Sequence, residues 1–327
     1  MSVAAAPVGV DGVVVVDKPA GWTSHDVVAR VRRILGTRRV GHAGTLDPMA
    51  TGVLVVGVGR GTRLLGHLVG AGKTYEATIR LGQTTTTDDA EGTVTSCRDT
   101  TGLTEPDLRA ALTAFTGTFA QVPPSVSAIK VDGRRAYARV RAGEEVTVAA
   151  RQVTVTRFSL EGVRRGAAGP GRDAWPVLDV DVVVDCSSGT YVRALGRDVG
   201  ERLGVGGHLV ALRRTAVGPF RIDEARTLEQ LAAEPSVLAL ALAASRAFPR
   251  RVLTPQEVTS LRHGRPVGAR GELSAPTAAF TPEGGLVALL VAGRAGQARS
   301  VVVFDPAGPP PGARPGRHDP TGGSAAR

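Results

Sequence analysis

The sequence has little cysteine, few aromatic residues and no long apolar run, and each absence narrows the class of protein. The 2 cysteines among its 327 residues, Cys97 and Cys186, cannot build a disulfide framework and lack the spacing of a zinc site. The 6 histidines show no HxxxH or HxH spacing, so we expect no metal. Because aromatics make up only 4%, the core must be built from Val, Leu and Ala.

No segment approaches the run of roughly 18 apolar residues that a membrane-spanning helix needs. Residues 1–10 also lack a basic segment followed by a long apolar core, which is the pattern of a secretory signal. We therefore expect a soluble, cytoplasmic protein with no membrane association.

Lysine is scarce, although the chain is strongly basic. The 40 basic residues give a net charge of +10, and all are arginine except Lys18, Lys73 and Lys130. This charge favours a polyanionic partner such as a nucleic acid, although a generally basic surface gives the same total. Arg and Lys differ in shape and hydration, so these three lysines are candidates for sites that do not accept the exchange.

The length allows one large domain and one small domain. We assign residues 1–245 to the large domain. Residues 246–305 are predicted to form a small β-rich domain with a short helix at 254–262. Residues 306–327 are rich in Pro, Gly and Arg, and we expect a disordered tail there.

Apolar spacing predicts both helices and strands in the large domain, which indicates an α+β fold class. Thr23 to Asp26 has the pattern of a capping box before a helix that Gly36 ends. The outer face of this helix is rich in arginine and is either solvated or in contact with phosphate. The composition of residues 162–172 suggests a flexible hairpin insertion. The other predicted elements are strands at 12–16, 53–56, 73–81 and 177–184, a helix at 105–115, and a helix carrying Leu195, Val199 and Leu203.

Asp47 is the strongest candidate for chemistry. Gly44 and Gly52 flank its segment, Pro48 follows it directly, and the apolar strand 53–56 comes next. An Asp-Pro pair favours a turn, and a turn fixed to a buried strand can present a carboxylate at the edge of a scaffold. Most Asp-Pro turns have no catalytic role, so this segment alone leaves a purely structural interpretation open.

Several ordered motifs resemble those of bacterial tRNA pseudouridine-55 synthases of the TruB type. The segment from Gly44 to Gly52, with the letters GTLDPMATG, resembles the signature loop of that family. The resemblance spans about residues 11 to 230, and the C-terminal part resembles the family's PUA-like module only loosely. The other matching segments follow in the family's order: Val16–Ser24, Lys73–Tyr75 with Leu81–Gly82, Pro124–Lys130, Cys186–Arg193 and Leu212–Arg214.

The resemblance implies a pseudouridine-synthase fold, with a mixed, mainly antiparallel sheet flanked by helices and a small β-rich PUA-like RNA-binding domain at the C-terminus. It implies that residues 1–245 form the catalytic domain, with an RNA-gripping thumb loop at about 123–150. The implied activity is isomerisation of uridine 55 in the T-loop of tRNA, without a cofactor. The expected partner is tRNA, bound through its T-loop and acceptor/T-arm by a monomeric protein.

That reaction breaks the bond between N1 of uracil and C1′ of ribose and joins C1′ to C5. The target base must first be flipped out of the folded RNA. By resemblance Asp47 carries the chemistry as a nucleophile or base, and the sequence leaves open whether it acts at C1′, C2′ or C6. Arg193 is the expected partner, because a guanidinium can hold a carboxylate at two points and keep it ionised. The alternative for Arg193 is a surface contact with RNA.

Five further residues are assigned to substrate binding by the resemblance. Tyr75 is expected to stack on the flipped base and to handle a proton, and Tyr191 to line the pocket; core packing is the alternative for both. His42 is expected to contact RNA near the flipped base, unless it is simply a solvent-exposed loop residue. Lys18 and Lys130 are expected to support the structure and to contact phosphate.

Two rival functions remain open from the sequence. An RNA-binding or tRNA-chaperone protein without essential chemistry would share the basic surface, but it has no need of an Asp47 that faces Arg193. A hydrolytic glycosidase usually needs two carboxylates, and no second carboxylate lies in a matching motif.

Overall fold

The structure is a computed structural model that describes residues 11–124, 149–169 and 174–304, together with the backbone of two short strands at 130–131 and 134–135. The chain divides into two compact units between Ala243 and Ala244. The predicted tail at 306–327 and most of the predicted thumb loop at about 123–150 lie outside the described residues.

The first unit contains both α-helices and β-strands. Its strands are β1 (Gly12–Lys18), β2 (Val40–Ala43), β3 (Thr51–Val58), β4 (Lys73–Leu81), β5 (Gln83–Thr85), β6 (Val94–Cys97), β7 (Gly117–Gln121), β8 (Lys130–Val131), β9 (Arg134–Arg135), β10 (Arg151–Ala168), β11 (Trp175–Cys186), β12 (Gly207–Val217), β13 (Phe220–Arg221) and β14 (Leu238–Ala239). Its helices are α1 (Ser24–Ile34), α2 (Leu65–Leu68), α3 (Glu105–Ala114), α4 (Val192–Arg202) and α5 (Leu228–Ala233), and α6 (Leu240–Ala247) crosses the boundary between the units.

One large sheet organises this unit. Its strand order is β14-β1-β3-β12-β4-β11-β10-β7, with β2 added to β3 and β13 added to β12. Neighbouring strands pair antiparallel except β3 and β12, which run parallel. The predicted α+β class with a mixed, mainly antiparallel sheet is confirmed.

Aliphatic side chains fill the two cores of this unit, as the scarcity of aromatics predicts. In one core, Val27, Val28 and Val31 of α1 pack on valines of β1 and β3. In the other, Leu108 of α3 and Leu195 of α4 pack on β4 and β11. Fully burying a side chain of this kind contributes roughly 1.5–3 kcal/mol, so these two faces fix both helices to the sheet.

Two segments differ from the sequence predictions. The hairpin expected at 162–172 is found in its described part, but residues up to Ala168 extend β10 and pair antiparallel with β11 from Trp175 onward, so this part is ordered sheet. The central strand β12 is missing from the predicted strands, where only its Leu212–Arg214 motif was recognised. Its sequence, GHLVALRRTAV, has adjacent arginines in place of a clean apolar alternation.

The second unit is β-rich, as predicted. It contains β15 (Arg250–Val252), α7 (Pro255–Arg262), β16 (Val267–Gly268), β17 (Thr277–Phe280), β18 (Leu286–Ala292) and β19 (Gln297–Val303). The strands form one sheet in the order β15-β17-β18-β19-β16, and Val258 and Leu261 of α7 pack on it. None of the helices in the described ranges has the length and apolar character that crossing a bilayer requires.

Candidate active site

Asp47 lies on a short loop between the antiparallel strands β2 and β3, and a turn closes there where the Ala50 amide donates to the Asp47 carbonyl at 3.1 Å. Gly52, the second residue of β3 directly after the loop, has a φ of +100°. A Cβ on this glycine would lie 2.2 Å from the carbonyl oxygen of Arg214. The loop can therefore meet strand β12 this closely only with glycine at this position.

Three buried polar side chains hold the Asp47 loop. The Lys18 ammonium donates to the carbonyl of Pro48 at 3.1 Å. The Ser24 hydroxyl accepts from the amide of Leu46 at 2.9 Å and donates to its carbonyl at 3.2 Å. Arg214 donates through Nη2 to the carbonyl of Gly44 at 3.1 Å. These bonds satisfy backbone groups that would otherwise be buried without partners, and they fix the position of Asp47.

Lys18 was expected to support the structure and to contact phosphate, but its side chain is not exposed to a phosphate group. It is fully buried, and its ammonium also donates to the carbonyls of Pro19 at 2.9 Å and Trp22 at 2.6 Å. Burial lowers its pKa to about 8, and the charge of Asp47 opposes this shift. Because all three ammonium donors face carbonyls of the protein, Lys18 supports the loop from beneath.

Arg193 faces Asp47, as the resemblance implied. Its Nε lies 3.0 Å from Oδ2 of Asp47, and its side chain is 7% exposed against 37% for Asp47. Arg193 is the second residue of α4, and Tyr191 is the residue that precedes this helix. The carboxylate therefore reaches open space on one side and a buried cation on the other.

A second carboxylate, Asp89, also contacts this guanidinium. Its Oδ2 lies 3.3 Å from Nη1 of Arg193, which also donates to the carbonyl of Thr87 at 2.9 Å. Asp89 is buried, and its Oδ1 accepts from the Thr87 hydroxyl at 2.5 Å. Asp89 is not among the residues predicted from the sequence, because it lies between β5 and β6 in a segment with no recognisable motif. The guanidinium fork is thus shared between two carboxylates.

Two tyrosines and Asp47 meet at one cavity of about 290 Å³, close to the lower limit of roughly 300 Å³ for ligand pockets. Tyr75 on β4 is buried, and this burial raises the pKa of its phenol. Tyr191 is held by Gln121, whose amide oxygen accepts from the Tyr191 amide at 2.9 Å. The cavity is lined by Gly44, Thr45, Leu46, Asp47, Val69, Lys73, Tyr75, Ser188, Gly189, Thr190, Tyr191, Val192, Arg193, Leu212 and Arg214.

His42 does not belong to the described lining of this cavity. His42 on β2 is half-buried, and its ring packs edge-on against His25 with the ring centroids 5.4 Å apart. Burial lowers the pKa of His42, so the ring is neutral near neutral pH. Lys130 belongs to the short strand β8, and its side chain lies outside the described part of the structure.

The described lining of the cavity contains one carboxylate, that of Asp47, together with the Arg193 cation that holds it and two tyrosines. A carboxylate placed in this way can act as nucleophile or base toward a flat ring that enters the cavity. Asp89 does not supply the second carboxylate of a glycosidase, because Arg193 separates it from Asp47 and protein groups bind it.

Family descriptions match consecutive parts of this chain. The "TruB family pseudouridylate synthase (N terminal domain)" matches residues 32–192. The "tRNA pseudouridylate synthase B C-terminal domain" matches residues 193–259, and "tRNA Pseudouridine synthase II, C terminal" matches residues 248–305. Together they extend from α1 to the end of the described residues.

Curated relatives and solved structures agree with these matches. The chain is 57% identical to the tRNA pseudouridine synthase B of Arthrobacter sp. (strain FB24) over 309 residues, which are 92% of this chain and 99% of the relative. It is also 57% identical to that of Thermobifida fusca (strain YX) over 294 residues, which are 90% of this chain and 98% of the relative.

Among solved structures it resembles a chain of the archaeal box H/ACA sRNP Nop10-Cbf5 complex, with a TM-score of 0.65 and 26% identity over 90% of this chain and 86% of that one. A chain of an H/ACA RNP bound to a substrate RNA containing 2′-deoxyuridine matches with a TM-score of 0.66 and 26% identity over 90% and 85%. The predicted resemblance and the pseudouridine-synthase fold are confirmed. The chain belongs to the TruB family of pseudouridylate synthases.

Proposed function

We propose that this chain isomerises uridine 55 in the T-loop of tRNA to pseudouridine. The observation that carries the proposal is Asp47, which lies at the wall of a cavity with Arg193 Nε 3.0 Å from its carboxylate. Family membership and relatives named tRNA pseudouridine synthase B support tRNA as the substrate.

The chemistry begins with a uridine that leaves the RNA stack and enters the cavity. The bond from N1 to C1′ breaks, the uracil reorients, and C1′ bonds to C5. N1 gains a hydrogen and C5 loses one, so the product is an isomer of the substrate and needs no cofactor. Asp47 supplies the ionised carboxylate that acts at the sugar or the base.

The surrounding residues orient both reactants. Arg193 holds Asp47 from the buried side, and Asp47 lines the cavity. Tyr75 lines the cavity, where its ring would stack on the base, and its raised pKa keeps the phenol protonated and able to donate a hydrogen bond. Tyr191 lines the same cavity.

The finer features of the protein are part of the same proposal. Residues 1–245 form the catalytic domain, and residues 246–305 form a PUA-like module that adds RNA contacts. We propose a cytoplasmic monomer that binds the T-loop and the acceptor/T-arm of tRNA. Its net charge of +10 suits a partner whose backbone is a chain of phosphates.

The test is to incubate the chain with unmodified tRNA and map any pseudouridine that forms. Asp47→Asn keeps the size of the side chain and removes its charge, so we expect no detectable product. Its tRNA affinity should stay within a factor of two, or about 0.4 kcal/mol. Asp99→Asn, in an exposed turn, is the matched control and should keep both properties.

Two outcomes would contradict the proposal. Tight binding of tRNA by the unaltered chain without any pseudouridine would favour an RNA chaperone. Full activity of Asp47→Asn would exclude the carboxylate as the reacting group.

A further inference from the structure

A second concave surface lies beside the Asp47 loop, and the proposed reaction does not use it. It is a groove of about 310 Å³ between the turn that precedes α1 and the outer face of that helix. We call it the Trp22 groove. It is lined by Gly21, Trp22, Asp26, Ala29, Arg30 and Arg33.

Helix geometry explains the lining. Positions 26, 29, 30 and 33 are spaced by three and four residues, so they form one stripe along α1. The opposite face carries Val27, Val28 and Val31, which are buried in the core. The small side chain of Ala29 leaves room between the arginines and the indole of Trp22. The groove is therefore built on a helix that packing holds in place.

The same lysine that supports Asp47 also holds the turn bearing Trp22. Lys18 donates to the carbonyl of Trp22 at 2.6 Å and to that of Pro48 at 3.1 Å. The amide of Gly21 donates to the Pro48 carbonyl at 2.8 Å. Since Pro48 follows Asp47, these hydrogen bonds join the turn that bears Trp22 to the loop that bears the reactive carboxylate.

The groove exposes an aromatic ring and two cations. Trp22 is 38% exposed, so part of its indole is open to a ligand. Arg30 and Arg33 are exposed. Arg30 is near enough to the exposed Glu229 for its charge to contribute to the lowered pKa of that carboxyl. The one carboxylate in the groove, Asp26, already accepts from the amide and hydroxyl of Thr23 in the helix cap.

We propose that the Trp22 groove binds a second segment of the RNA whose uridine enters the Asp47 cavity, with a base stacked on Trp22 and backbone phosphates on Arg30 and Arg33. The inference rests on the proposed function, because it takes the bound RNA to be the substrate. Aromatic rings beside cationic side chains are the usual means of holding unpaired nucleotides. The polar stripe on α1 suits RNA better than an apolar protein surface.

The chain has 2 tryptophans, so fluorescence can report on each separately. An Asp47→Asn, Trp175→Phe chain retains only Trp22 and binds tRNA without turnover. We expect its emission to be quenched at saturating unmodified tRNA. The mirror chain, Asp47→Asn with Trp22→Phe, retains only Trp175, which is 39% exposed at the start of β11, and its emission should stay constant.

Affinity provides the second readout. Trp22→Ala should weaken tRNA binding by between about 5-fold and 150-fold, the range for loss of one stacked base. Arg30→Gln with Arg33→Gln should reduce the slope of log K against log salt by about 1.4 to 1.8, because two phosphate contacts disappear. The matched control is Arg109→Gln with Arg202→Gln, two exposed arginines on α3 and α4, and it should keep the slope.

Either of two results would overturn the proposal. One is a Trp22 emission that does not change at saturation. The other is a slope of log K against log salt for the Arg30 and Arg33 variant that equals the slope of its control. That result would favour a protein as the partner of the groove. The proposed function is tested separately, and it would fail if the unaltered chain formed no pseudouridine in tRNA.

Discussion

At the scale of single residues, the site depends on polar side chains that are buried to hold other groups. Arg214 is fully buried, although arginine is almost never found so unless it is paired. Its Nε donates to the carbonyl of Val53 at 2.7 Å and its terminal nitrogens bind the Asp47 loop. The sequence motif Leu212–Arg214 was recognised, but the role of Arg214 as an anchor was not.

The shared guanidinium predicts that Arg193→Lys is severely impaired although the charge is kept. A lysine ammonium is a single point and cannot span Asp47, Asp89 and the Thr87 carbonyl together. We expect kcat to fall by roughly 100-fold, the usual effect of a small displacement of a catalytic group. The measurement is single-turnover formation of pseudouridine.

The control for that experiment is Arg202→Lys at the exposed end of α4, which should retain full activity. A rate for Arg193→Lys close to that of the unaltered chain would show that charge alone, without the fork, is enough at this position.

Lys18 predicts a distinct dependence of stability on pH. Its pKa in the folded protein is about 8, below the unfolded value of 10.5, so the unfolded chain binds the proton more tightly. The cost of burying the ammonium is present below pH 8 and is relieved as pH rises toward 10.5. The free energy of unfolding should therefore gain about 2 kcal/mol from this residue between about pH 7.5 and pH 10.

The measurement is urea unfolding of the unaltered chain and of Lys18→Met at both pH values. The difference between the two chains isolates Lys18 from other titrating groups. A difference that stays constant with pH would rule out the lowered pKa.

At the scale of elements, predictions succeeded where one local signal decided the structure. The Thr23–Asp26 capping box begins α1 as predicted, and the alternation over Lys73–Leu81 gives β4. Strand β12 was not predicted, because pairing with β3 and β4, both distant in sequence, stabilises it. The role of Asp89 was not predicted for the same reason, since it depends on contact with Arg193, which lies on another element.

The junction of the Asp47 loop with β12 predicts that Gly52→Ala destabilises the protein. The new Cβ would meet the Arg214 carbonyl at 2.2 Å, and the residue would keep a positive φ. We expect a loss of at least about 2 kcal/mol in the free energy of unfolding, and a lower kcat as the loop shifts. Urea unfolding and turnover would measure both.

Gly102→Ala is the matched control, because no atom lies within 4 Å of its added Cβ and its φ is negative. It should change stability by less than about 0.5 kcal/mol. Equal stabilities for the two variants would mean that the loop can move away from β12.

At the scale of the whole molecule, the fold class and the family were accessible from sequence because many motifs occur in one order. The pairing of Asp47 with Arg193 was accessible as well, through the resemblance. Composition correctly indicated an aliphatic core. The support of the loop by Lys18, Ser24 and Arg214 could not be predicted from the sequence, since these three residues lie on separate elements that meet only in the folded chain.

The parallel contact of β3 with β12 has a consequence for protein synthesis. Arg214 bonds to Val53 across a separation of 161 residues, so the segment bearing Asp47 lacks this anchor until much of the chain has left the ribosome. A nascent polypeptide that ends before β12 thus carries the reactive acid on a loop that has the Lys18 and Ser24 contacts but lacks those of Arg214. Maturation of the catalytic centre is in this way tied to completion of the first unit.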